Sequence, residues 1–118
     1  SIILKKVAPI ASKVWNGYHT NNCNLSFVVR YKKNNDGEDE TYQSKLEPHH
    51  DSSVYTLNIA LNKPSEYTGG GCNFIRQNIQ ITNLPIGYAI IHPGRLSHYH
   101  SGIELTSGER YLLVSFID

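Results

Sequence analysis

The sequence predicts an all-β domain, an antiparallel sandwich or jelly roll, with one helix packed against it near the N-terminus. Three observations carry this. Short runs of β-branched and aromatic residues recur along the 118-residue chain, separated by polar, Gly or Pro turns. Helical periodicity occurs once, near the start. The length allows one domain, residues 1–118, with room for a single core.

Ile3, Val7, Ile10, Ala11 and Val14 fall at roughly helical spacing within residues 2–14, flanked by Ile2, Leu4 and Ala8. Pro9 lacks an amide hydrogen, so this helix either bends there or starts near it. Trp15 is expected to anchor it to the core. A turn at Asn21, Asn22 and Asn24 leads into the strand 25–31, whose alternation puts Leu25, Phe27, Val29 and Tyr31 on one face. Residues 32–45 are polar and of mixed sign. They lack the ligand ladder and distal Glu of a calcium loop, and read as an exposed connection. The run 54–61 is rich in β-formers and stops at the Asn62-Lys63-Pro64 turn. After Gly69-Gly70-Gly71 there is neither a Lys-Ser/Thr pair nor a helix start, which argues against a phosphate loop. A bend, or a place where backbone approaches a ligand, fits better. Further strands are expected at 72–75, 79–81, 88–91 and 111–117.

Eleven Lys and Arg against ten Asp and Glu leave a net charge of +1, which argues against a dedicated nucleic-acid or anionic-membrane surface. No apolar run approaches the roughly 20 residues of a membrane span. Two cysteines cannot build a disulfide scaffold, and Cys23 and Cys72 are expected to stay unpaired. Ser1 lies inside an apolar pattern and reads as a boundary within a longer protein, so the lack of a targeting segment says little.

The histidines carry the chemistry. In extended chain, residues i and i+2 point to the same side, so His49 and Asp51 can reach one ion while His50 points away. A third ligand from a neighbouring strand, His98 or His100, would complete a facial triad suited to non-haem Fe(II). Zinc accepts the same donors and competes on physical grounds. Arg110 opens the last apolar strand. A buried Arg needs a partner, either a protein carboxylate or a dicarboxylic acid gripped at its far end.

Five blocks, in order, carry a family resemblance: LSFVVRY (25–31), LEPHHDSSVYTLNIALN (46–62), YTGGGCNF (67–74), HPGRLSHYHSG (92–102) and GERYLLVSFID (108–118). The chain resembles the C-terminal catalytic domain of procollagen lysyl hydroxylases, iron- and 2-oxoglutarate-dependent dioxygenases, with asparagine-rich insertions like those of a viral member. The resemblance implies a double-stranded β-helix. It implies His49, Asp51 and His100 as iron ligands, with Arg110 anchoring the distal carboxylate of 2-oxoglutarate; the ten-residue interval to Arg110 selects His100 over His98. Asn58, Cys72 and Tyr31 are then expected beside the cosubstrate, and His98 behind the metal or on the substrate side. Glu104 or Glu109 is the preferred site for a lysine ammonium, with Glu38, Asp39 and Glu40 as alternatives.

The implied reaction is hydroxylation of peptidyl lysine at C5 in collagen-like polypeptides, coupled to conversion of 2-oxoglutarate to succinate and CO2, with ascorbate as a further cofactor. A homodimer is implied, with the apolar segment 81–91 as a contact and His50 available for a second metal site there. Two other readings compete: a prolyl or other amino-acid hydroxylase on the same core, and a non-enzymatic metal-binding jelly roll. Only the enzymes need the distal anchor at Arg110.

Overall fold

The computed structural model describes residues 2–16, 20, 22–33 and 43–118. One helix, α1 (Ile2–Val14), precedes nine strands: β1 (Cys23–Lys32), β2 (Leu46–His49), β3 (Tyr55–Ala60), β4 (Tyr67–Gly69), β5 (Cys72–Phe74), β6 (Ile79–Ile81), β7 (Ala89–Pro93), β8 (His100–Gly102) and β9 (Leu105–Ile117). Residues 34–42, including Glu38, Asp39 and Glu40, lie outside the described residues, as does Asn21 of the predicted turn.

The strands form two antiparallel sheets. One has the order β1-β9-β3-β7, with β4 added to β9; the other has the order β2-β8-β5-β6. This is the mostly β, two-sheet plan of a jelly roll. Alternation along each strand sorts side chains between the two faces of the larger sheet. On one face Tyr55, Leu57 and Ile117 pack with Val7 and Ala11 of α1, joined by Trp15. The Trp15 and Tyr55 rings lie 5.6 Å apart, so Trp15 anchors the helix as expected. On the other face Tyr31, Leu112 and Val114 form a second cluster with Tyr67 and Leu105, and this face looks toward the smaller sheet.

The helix runs through Pro9 rather than starting at it. Its buried stripe is narrower than the periodicity implies. Ile3, Leu4, Val7 and Ala11 face the sheet, whereas Ile10 and Val14 are 56% and 61% exposed. Beside the flat face of one sheet only one side of a short helix can be covered. The strand expected at 111–117 starts earlier, at Leu105, because Gly108 at φ +77 lets the chain bend within β9.

Candidate metal centre

β2 and β8 place two imidazoles opposite each other. His49 and His100 are direct cross-strand partners, with ring centroids 4.4 Å apart. Asp51 lies beyond the end of β2. Its amide donates to the Gly94 carbonyl at 2.9 Å, which turns its carboxylate back toward the two rings. Asp51 Oδ1 is 3.2 Å from His49 Nε2 and 3.5 Å from His100 Nε2.

Both rings are oriented from behind. His49 Nδ1 bonds the Glu47 carbonyl and His100 Nδ1 the His98 carbonyl, each at 2.7 Å. A carbonyl oxygen only accepts, so each Nδ1 carries a hydrogen, and in a neutral ring Nε2 is the atom left with a lone pair. Three ligand atoms within 4.8 Å of one another converge there. With both rings neutral, such a cluster favours a cation among the three atoms. Two imidazole nitrogens and one carboxylate oxygen on one side, with the other side open, are the donor set of a non-haem Fe(II) site.

A cavity of about 250 Å³ extends from these three residues between the sheets. Arg110, Leu112, Val114 and Phe116 of β9 line it, with Phe27, Val29 and Tyr31 of β1, Thr56 and Asn58 of β3, and Cys72 of β5. Thr56 contacts Asp51 and pairs with Phe116, near the end of β9, whereas Arg110 lies toward the start of that strand. The metal ligands and Arg110 thus stand at separate ends of one space.

Arg110 is only 6% exposed. Its guanidinium lies over the Tyr31 ring, 5.7 Å from the centroid, and among the described residues no carboxylate forms an ion pair with it. A buried guanidinium facing a cavity without a protein counter-ion favours an anionic ligand. Of the two partners the sequence left open, the protein carboxylate is absent among these residues. Gly70 makes room for the Arg110 stem: a Cβ built there would lie 3.1 Å from Arg110 Cδ. The triple glycine thus lets backbone approach a side chain of the cavity, where the sequence suggested a bend or an approach to a ligand.

Burial shapes the other groups. It pushes the Cys72 thiol up to about 12, against the pull of Arg110, and raises the Tyr31 phenol, again against Arg110. Both side chains stay protonated at neutral pH and do not compete with an anion for Arg110. Cys23 and Cys72 are free thiols, the first partly exposed and the second buried. Alkylation of the native protein with iodoacetamide at pH 8 is therefore expected to modify Cys23 and spare Cys72, since thiolate is the reacting form. Peptide mass mapping before and after denaturation checks this, and Cys72 labelled as fast as Cys23 would contradict it.

The remaining sequence candidates lie elsewhere. His98 bonds Ser97 Oγ through Nδ1 at 2.7 Å and supports His100 through its backbone carbonyl. Its side chain lines a smaller apolar recess with Phe74 and His92 instead of the main cavity. Burial, then the nearby His100, lowers its pKa. Glu109 ion-pairs with Arg30 at 2.5 Å and accepts from the Tyr111 hydroxyl at 2.7 Å; the Arg30 hydrogen bond holds its carboxyl low. Glu104 is exposed, and its carbonyl is taken by the Gly70 amide at 3.0 Å. Neither carboxylate lines the cavity. His50 Nε2 lies 2.9 Å from Arg76 Nη1 and 3.2 Å from the Leu96 carbonyl oxygen.

Two residues beside the site went unnoticed in the sequence. Thr56 donates to Asp51 Oδ2 at 2.5 Å. His92, 2% exposed, approaches the same oxygen to 4.0 Å through Nε2. Burial lowers its pKa to about 4, so it stays neutral. Thr56 reads as one more β-former, and His92 as part of the turn before Pro93.

The 2OG-Fe(II) oxygenase superfamily matches residues 23–118. A procollagen lysyl hydroxylase and glycosyltransferase of Acanthamoeba polyphaga mimivirus is 48% identical over 99% of this chain and 12% of its own length. Procollagen-lysine,2-oxoglutarate 5-dioxygenase 1 of Rattus norvegicus is 48% identical over 98% of this chain and 15% of its own. The chain thus spans a small part of the curated relatives it matches. Among solved structures, a truncated viral collagen prolyl hydroxylase from Paramecium Bursaria Chlorella virus-1 shares the fold. Its TM-score is 0.68 at 21% identity, over 98% of this chain and 66% of that one. With the match covering β1 to β9 and the two-histidine, one-carboxylate cluster inside it, the chain belongs to the 2OG-Fe(II) oxygenase superfamily.

Proposed function

We propose that this chain is the catalytic part of an Fe(II)- and 2-oxoglutarate-dependent hydroxylase acting on lysine in collagen-like polypeptides. The observation that carries the enzymatic reading is one cavity with an open His49-Asp51-His100 centre at one end and, at the other, buried Arg110, which has no carboxylate partner among the described residues. A metal-binding jelly roll without catalysis has no use for the second feature.

When bound, Fe(II) supplies oxygen activation coupled to oxidative decarboxylation of the keto acid. The chain's residues supply position. Arg110 holds the distal carboxylate of 2-oxoglutarate, with Tyr31 stacked beside the guanidinium and Cys72 and Asn58 along the walls. Leu112 and Val114 keep the middle of the cavity apolar, which limits stray solvent near the reacting atoms. His49 is the most open of the three ligands, its side chain 32% exposed against 7% for Asp51 and 9% for His100. The polypeptide therefore enters from the β2 side. A homodimer belongs to the same reading, with exposed Ile86 and Tyr88 in the segment 81–91 as its contact.

Lysine rests on the relatives, which are lysyl hydroxylases at 48% identity over nearly the whole chain. The site geometry alone supports the wider reading, a hydroxylase of some amino-acid side chain, proline included. Succinate release with Fe(II), 2-oxoglutarate and ascorbate separates the two when Lys-containing and Pro-containing collagen peptides are run in parallel. Hydroxylation of the lysine peptide is the expected result. Turnover of the proline peptide alone would move the assignment to a prolyl hydroxylase. No peptide-stimulated succinate with either would remove the collagen-hydroxylase reading.

A further inference from the structure

We infer that Thr56, held by Ser53 and Gly94, is a positioning residue that restricts Asp51 to one metal-facing oxygen. The inference rests on the metal centre proposed above and concerns a part of it that lies outside the triad.

A carboxylate offers two oxygens, and taking both would use a coordination position that the cosubstrate or oxygen needs. Asp51 Oδ1 faces the two imidazoles, at 3.2 and 3.5 Å. Oδ2 is held back by the Thr56 hydroxyl at 2.5 Å. The direction of that bond is fixed. An ionised carboxylate only accepts, so the one Thr56 hydroxyl hydrogen goes to Asp51. The Ser53 hydroxyl, 2.8 Å from Thr56 Oγ1, must then donate to Thr56. Ser53 and Thr56 are 3% and 2% exposed, so water does not compete with this relay. A charge-assisted bond of this kind is among the stronger ones in a protein.

The relay is braced by the backbone. A Cβ built on Gly94 would lie 2.3 Å from the Ser53 carbonyl oxygen and 2.5 Å from Ser53 Oγ. Residue 94 thus has to lack a side chain for Ser53 to sit where it does. Gly94 also accepts from the Asp51 amide and donates to the Val54 carbonyl, each at 2.9 Å. The same backbone unit therefore fixes the ligand, the relay serine and the start of β3. Thr56 itself sits on β3 with a β-branched side chain whose χ1 freedom is small.

The test is titration of the full chain with Co(II), followed by visible absorption, in parallel with the 2-oxoglutarate dependence of turnover. Thr56→Val keeps the shape and removes the donor. It is expected to weaken Co(II) binding about 10–100-fold, the usual cost of losing a group behind a metal ligand. Thr56→Ser restores the donor and is expected to bind within about threefold of the parent, on the same reasoning. The 2-oxoglutarate concentration for half-maximal turnover of metal-saturated Thr56→Val should rise above that of the parent, since a freed Asp51 Oδ2 can take a position the cosubstrate needs. Circular dichroism establishes folding, and Thr56→Ala takes the place of Thr56→Val if that variant does not fold. Parental Co(II) affinity in a folded variant without the hydroxyl would overturn the inference. So would a Thr56→Ser chain as weak as Thr56→Val. A parent chain that binds no Co(II) would instead overturn the metal centre itself.

Discussion

Replacing His49, Asp51 or His100 with alanine is expected to strip the chain of iron and bring peptide hydroxylation to background. The cause is the geometry of the cluster: three donor atoms converge on one point, and each loss leaves two. His98→Ala is the control. Its side chain lies off the main cavity, while the carbonyl that orients His100 belongs to the backbone and survives the substitution. His98→Ala should therefore keep its iron and lose no more than about 10–100-fold in turnover, as groups behind the ligands do. Metal analysis of each purified variant, alongside succinate release, decides the matter. Iron retained by His100→Ala but lost from His98→Ala would reverse the ligand assignment.

Arg110→Ala is expected to leave iron in place and raise the 2-oxoglutarate concentration for half-maximal turnover about 10–100-fold. Hydrogen bonds to a charged group contribute about 1.5–3 kcal/mol, and about 1.4 kcal/mol is tenfold in affinity. A second measurement separates a ligand anchor from a structural role. Arg110 is buried with no carboxylate partner among the described residues. Removing an uncompensated buried cation should raise the melting temperature of the protein without cosubstrate, whereas breaking a structural ion pair would lower it. An unchanged 2-oxoglutarate titration would transfer the anchoring role to another residue.

Much of this arrangement could be read from residue order because strong local patterns coincide with the final geometry. Arg110 stands out as a charge entering an apolar strand. The face of Phe27, Val29 and Tyr31, predicted from alternation, is the face that lines the cavity. The site's framework was harder to see. β2 and β8 are four and three residues long, and polar. Their sequences carry no β signal, yet their pairing sets His49 against His100. Extended-chain geometry put His49 and Asp51 on one side for only part of the right reason, since β2 ends at His49 and Asp51 is turned inward by its bond to Gly94. Thr56 was invisible because a donor to a carboxylate and an ordinary strand threonine look alike without the partner. Glu104 and Glu109 stand close to His100 in sequence; in the fold Glu109 bonds Arg30 and Tyr111, and Glu104 is exposed.

The cross-strand seating of His49 and His100 bears on how long the protein survives. Among the described residues β2 pairs with β8 alone, in the register Leu46 to Gly102 and His49 to His100. A metal held by both histidines is a clip between chain positions 49 and 100, closing a long loop whose ends otherwise depend on a few backbone bonds. Loading the metal is therefore expected to slow proteolysis at this edge, which limited digestion with and without added metal checks.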